Sequence, residues 1–217
     1  ARTLTLTQAA GDFGGTMTGS GNLVVAHGTQ TLSGNNTYTG TTTIQQGATL
    51  ALAGAGSIAA SGGVANAGVF DIAGTTAGAS IKTLSGNGAV NLGVQRLTIT
   101  NAAGTYDGVL SGAGGTLSIS GGSLTLTGAQ AYTGATLVGG TLVLQGNGSV
   151  AASSRVLLAN GFLDVSAINA GASISSLAGV GGVTIGGQSL TLTHANDSFG
   201  GAIIGTGGLI LNGGTQA

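Results

Sequence analysis

The chain has 217 residues, 46 of them Gly, with four Lys or Arg, five Asp and no Glu, Pro, Cys or Trp. Charge is 4% of the residues, against an ordinary share of about 25%. That excludes a basic patch able to neutralise nucleic-acid phosphates, and the lack of Cys excludes disulfide and Cys-based zinc frameworks. An apolar share of 41% in short alternating runs predicts a packed core rather than disorder.

In chain order, Ala1-Arg2-Thr3 carries no signal-peptide pattern, so this sequence is expected to be processed or to begin inside a longer one. No run of 18 apolar residues follows that would insert this segment in a membrane. Strand-like runs come at 3–7, 22–25, 29–33, 41–44, 49–52, 69–72, 81–84, 88–92 and 97–100, alternating in period two and bounded by Gly, Asn and Ser. No segment keeps a helical period with caps.

A long repeat organises these runs. Thr3–Gly15 returns as Arg96–Gly108 and again as Ser189–Gly201, with Leu4, Leu97 and Leu190 spaced by 93 residues. The rest of the unit returns too: Gly56–Ser61 as Gly148–Ser153, Phe70–Ile72 as Leu163–Val165, and Ala77–Ile81 as Ala170–Ile174. The units run over about 3–95, 96–188 and a partial 189–217, which predicts a single solenoid segment within a longer array.

Three short strands per coil give about 20–25 residues per coil and about four coils per unit. The expected fold is therefore all-β, a right-handed parallel β-helix (β-solenoid) of about nine or ten coils. An antiparallel sandwich shows similar strand spacing, but it has no reason to repeat a multi-strand unit.

Five of the seven aromatic residues share one local setting, aromatic-x-Gly: Phe13 with Gly15, Tyr38 with Gly40, Tyr106 with Gly108, Tyr132 with Gly134 and Phe199 with Gly201. Around Tyr38 the fuller pattern is Leu32, Ser33, Gly34, Asn36, Thr37, Tyr38, Thr39, Gly40, Thr42, Ile44, Gly47, Leu50 and Leu52. It resembles the autotransporter-associated β-strand repeat of bacterial passenger domains. A looser copy runs through Leu126–Gly134 and Gly140–Leu144, with Gln130 where the first has Asn36. The resemblance implies a parallel β-helix exported to the surface of a Gram-negative bacterium, in which the repeat aids folding and export and the helix serves as a stalk.

The chemistry-bearing residues are few. Asp71 and Asp164 are one repeat apart, expected at equivalent positions about four coils or roughly 20 Å from each other, beyond the roughly 5–9.5 Å of a glycosidase pair. His27 and His194 do not recur at equivalent places, and no Gly-Gly-x-Gly-x-Asp calcium repeat is present. No cofactor, metal or catalytic residue is assigned.

Thr3, Thr5 and Thr7, Thr98 and Thr100, and Thr191 and Thr193 put Thr on one strand face and Leu or Ile on the other. As solvent-side strand residues they need no ligand; stacked in register they would form an ice-binding face. The repeated Tyr and Phe are expected to pack over coil edges, the alternative being to stack on sugars. The expected function is structural and adhesive. Its partners would be the protein itself, by end-to-end or lateral association, further repeats of the parent chain, and host or matrix surfaces. Ice or carbohydrate binding is the alternative, and a polysaccharide-cleaving enzyme a more distant one.

Overall fold

The computed structural model describes residues 2–217; Ala1, where the N-terminal expectation begins, lies outside them. Every regular element among the described residues is a β-strand, and every strand pairing is parallel. The reason is local. Runs of two to seven residues rich in Leu, Val, Ile and Thr alternate inward and outward, and Gly-, Asn- and Ser-rich corners end them before a helix could form.

The strands stack into three faces of a β-solenoid. The first face is an 11-stranded sheet running from Thr3–Leu6 through Asn22–Val25, Thr42–Ile44, Val64–Asn66 and Leu84–Gly86 to Ala202–Gly205. The second starts at Ala9–Phe13 and continues for seven strands to Ala131–Tyr132. After a break at Gly148–Ser153 its place in the coil order is taken by Ala172–Ile174, Leu190–Leu192 and Leu209–Leu211. The third holds six strands, from Ala79–Ile81 and Arg96–Ile99 to Leu177–Gly179. Ten steps separate the eleven strands of the first face, so at about 4.8 Å per step the rod is roughly 48 Å long.

Coils are shorter than the sequence predicts. Ser123 pairs with Thr141 and Thr42 with Val64, so a coil takes between 18 and 22 residues. The run expected at 81–84 is in fact two strands, Ala79–Ile81 and Leu84–Gly86, with a corner at Lys82 and Thr83 between them.

Side chains stack with their own kind along the axis. On the third face Ile81, Ile99, Ile119, Val138 and Leu158 pair in sequence and are all buried. On the second, Leu50, Phe70, Val90 and Leu110 do the same. Each such side chain contributes about 1.5–3 kcal/mol by leaving water, and each coil lends its core surface to the next, so the interior is continuous.

The 93-residue repeat corrects one expectation. If a unit held a whole number of coils, Leu4, Leu97 and Leu190 would stack on one line. They lie instead on the first, third and second faces. From Leu4 the ladder steps through Leu23, Thr42 and Val64 to Leu84, and Leu97 comes two strands further on. A unit is thus about four and two-thirds coils, and each copy is turned by one face relative to the last. The solenoid tolerates this because all three faces ask the same of a strand: alternate residues inward, and a Gly-rich corner at either end.

Candidate functional site

The most elaborate side-chain chemistry lies inside the coil stack. Tyr38 and Thr42 share a hydrogen bond of 2.6 Å between hydroxyls, and Thr42 shares one of 2.9 Å with Ser61. Ser61 donates to the Gly40 carbonyl at 2.9 Å. With the serine proton on that carbonyl, each hydroxyl hands its proton to the next, and the line ends on the glycine of the aromatic-x-Gly motif that began it. The strand Thr42–Ile44 positions the middle member: Thr42 takes the inward place that Leu23 and Val64 occupy in the coils on either side.

The same line is built a second time. Tyr132 and Thr136 share a bond of 2.7 Å, Thr136 donates to Ser153 at 3.0 Å, and Ser153 donates to the Gly134 carbonyl at 2.8 Å. Here Thr136 takes the inward place between Leu117 and Val156, on the third face. All six side chains are buried.

A buried amide accompanies each line. Asn36 Oδ1 accepts the Met17 N–H at 2.9 Å, and its Nδ2 donates to the carbonyls of Gly34 (2.9 Å) and Ser57 (3.3 Å). Gln130 Oε1 accepts the Leu110 N–H at 2.8 Å, and its Nε2 donates to Gly128 (2.7 Å) and Gly108 (3.2 Å). The backbone N–H groups of the two amides donate to the Ser57 and Ser149 carbonyls. Gln130 therefore fills the role of Asn36 with one more methylene. Buried polar groups are tolerated only when their partners are complete, and in both nodes they are.

The five aromatic-x-Gly copies fall into two kinds. Tyr38 and Tyr132 carry the hydroxyl lines. In Phe13, Tyr106 and Phe199, which are 93 residues apart, the ring folds over the glycine two residues on: a Cβ at Gly15, Gly108 or Gly201 would lie 2.5–2.6 Å from a ring or hydroxyl atom. Tyr106 donates to the Gly88 carbonyl at 2.6 Å. All three tyrosines are buried, so no sugar can stack on them, contrary to the carbohydrate alternative; Phe13, 41% exposed, and Phe199, half-buried, stand at the first and last coils. Desolvation raises the pKa of Tyr38, that of Tyr106 to about 12, and that of Tyr132 furthest, although their hydroxyl and amide partners pull the other way.

The threonine candidates do not meet. Thr3 and Thr5 lie on the first face with Thr7 just beyond it, Thr98 on the third with Thr100 just beyond, and Thr191 on the second with Thr193 just beyond. Along the first face the outward position of Thr5 is followed by Val24, Thr43 and Ala65. The one-face turn of each repeat scatters what a whole-coil repeat would have stacked, so no flat Thr array forms. Thr100 and Thr193 instead donate to the carbonyls of Ile81 and Ile174 in the neighbouring coil.

Asp71 and Asp164 also lie on different faces, correcting their expected stacking. Each accepts a backbone N–H two residues on, Ala73 and Ser166, at 2.9 Å, inside its own strand where the pairing register shifts, and so holds a bulge. His27 is exposed, and the His194 imidazole bonds the hydroxyl of its neighbour Thr193 at 3.1 Å. Among the described residues no group of three His or Asp could hold a metal ion.

The passenger-associated-transport-repeat family matches residues 28–52 and 119–144. Each match contains or abuts one complete Asn/Gln and Tyr–Thr set. The chain carries the repeat of autotransporter passenger domains. No curated protein gives a significant match, and no solved structure does. In both passenger repeats the serine that ends the hydroxyl line lies outside the match, in the recurring blocks Gly56–Ser61 and Gly148–Ser153. Sequence reasoning singles out the tyrosines but gives no role to Thr42, Ser61, Thr136 and Ser153. The one signal that could have found them is a serine that returns at the same place in an alanine-rich block.

Proposed function

We propose that this chain is a stalk segment of a secreted or surface-displayed Gram-negative passenger protein, adhesive in role and without catalysis of its own. One observation carries the reading: two passenger repeats sit in an unbroken parallel ladder, each with the same hydrogen-bonded node in the core. Such a rod gains stability from every coil added beneath its neighbour, which suits folding that proceeds coil by coil during export. With 4% charge and exposed Val94, Phe162 and Val180, its sides repel one another weakly. Lateral or end-to-end association with further copies is the partner interaction this favours, with host or matrix surfaces beyond it.

The test is display. The segment is fused between an outer-membrane barrel and an epitope tag, beside a fusion that lacks it. Surface labelling of the tag, lying further from the membrane by roughly 48 Å, is expected; a tag retained in the periplasm overturns the stalk reading. Light scattering of the purified chain over a wide concentration range tests association, and a strict monomer throughout removes that part.

A further inference from the structure

A cleft of about 380 Å³ opens on the flank of the solenoid where the corners after the strands Ala48–Gly54 and Val69–Thr75 meet Arg96. The repeat supplies an internal control. Of the eleven positions that line it, eight have the same residue 92 or 93 positions later in the chain. The other three are Ala55, Thr76 and Arg96, which return as Asn147, Asn169 and Ser189.

The three differences all act in one direction. In the later copy Asn169 Nδ2 donates to Asn147 Oδ1 at 3.0 Å, tying together two adjacent coils at the positions that line the cleft. In the earlier copy the small Ala55 and Thr76 leave those positions untied, and Thr76 bonds back to the Gly54 carbonyl. Arg96 adds a cation where the later copy has a neutral hydroxyl. Among the described residues the ion pair is Arg155 with Asp197, and Arg96 has no acidic partner. Around it stand the hydroxyl-bearing Ser57, Ser80 and Thr98, and no carboxylate lines the cleft.

We propose that this cleft binds an acidic sugar, with the Arg96 guanidinium holding its carboxylate or sulfate and the serine and threonine hydroxyls reading the ring. Arg presents a planar fork of donors matched to such anions. The volume lies at the small end of ordinary ligand sites and suits one or two sugar rings. The inference stands apart from the stalk reading, since it concerns one corner and not the export or length of the rod.

The experiment titrates the full chain with a hyaluronan tetrasaccharide, which carries carboxylates, a sulfated tetrasaccharide, neutral chitotetraose and sodium acetate, followed by calorimetry. Saturable binding of one acidic tetrasaccharide at one site per chain is expected, at least about tenfold weaker in Arg96→Ser, as loss of a charge-assisted bond implies. The paired change Ala55→Asn with Thr76→Asn, which copies the tied corner, is expected to weaken it similarly. The triple change Asn147→Ala, Asn169→Thr and Ser189→Arg is expected to raise the stoichiometry to two. Absence of saturable binding by either acidic sugar, or equal affinity in Arg96→Ser, overturns the proposal. Chitotetraose or acetate binding as tightly as the acidic sugar overturns it as well.

Discussion

Thr42 and Thr136 stand on different faces of the solenoid, yet each bonds the hydroxyl of the tyrosine four residues before it, at 2.6 and 2.7 Å. One local sequence has been turned by a face and has kept its whole hydrogen-bond set, including serines 19 and 17 residues further on. The node is a property of the repeat and is independent of the face that receives it.

Removing two neighbouring members together should cost less than the sum of removing each alone. Tyr132→Phe takes away the first donor and is expected to destabilise by about 0.5–1.5 kcal/mol. Thr136→Val leaves the buried Tyr132 hydroxyl unpaired, while Ser153 keeps its bond to the Gly134 carbonyl, and is expected to cost about 1–3 kcal/mol. The double variant should fall short of the sum, giving a coupling that urea unfolding of the four proteins measures. Strict additivity would show that the hydroxyls act separately.

The ring-covered glycines make a second test. At Gly108 a Cβ would lie 2.6 Å from the Tyr106 hydroxyl and also press on the Gly88 carbonyl. Gly108→Ala is expected to cost about 1–3 kcal/mol, the usual range for overpacking. At Gly62 the closest atom is a carbonyl oxygen at 3.1 Å and the backbone is not left-handed, so Gly62→Ala should be the milder change. Thermal melts of the two variants compare them.

Alkali should unfold the rod where neutral and mildly basic pH do not. Burial raises all three tyrosines above their ordinary ionisation near 10, with Tyr106 at about 12. The folded state therefore prefers the neutral phenols. That contribution is complete below pH 10 and is lost as pH climbs from there through the folded-state values. Absorbance at the phenolate band should titrate late in the native protein and near pH 10 in urea; coincident titrations would contradict the burial.

The carboxylates at the mid-strand bulges should behave as local ties. Asp71→Ala and Asp164→Ala each strip the acceptor from one backbone N–H, at Ala73 and Ser166. Each is expected to lower stability by about 1 kcal/mol, and the two should be additive because they serve bulges in separate strands. Denaturant midpoints of the single and double variants read this directly.

What could be seen in the chain alone was set by short-range rules. Alternation in runs such as Ala48–Leu52 fixes which residues of a strand face inward, Gly and Asn fix where it stops, and the return of Leu4 as Leu97 and Leu190 marks the repeat. Those rules are satisfied within a few residues and so survive in sequence. The phase of the repeat is different in kind: coil length is decided by how each corner packs on the corner beneath, and it varies from 18 to 22 residues. Only the stacked structure could therefore say that 93 residues turn the unit by a face, that the threonines part company, that Tyr38 and Tyr132 point into the core, and that Ser61 and Ser153 meet them there. Each of these is a contact between neighbouring coils, chosen by packing along the axis and not by the order of residues within a strand.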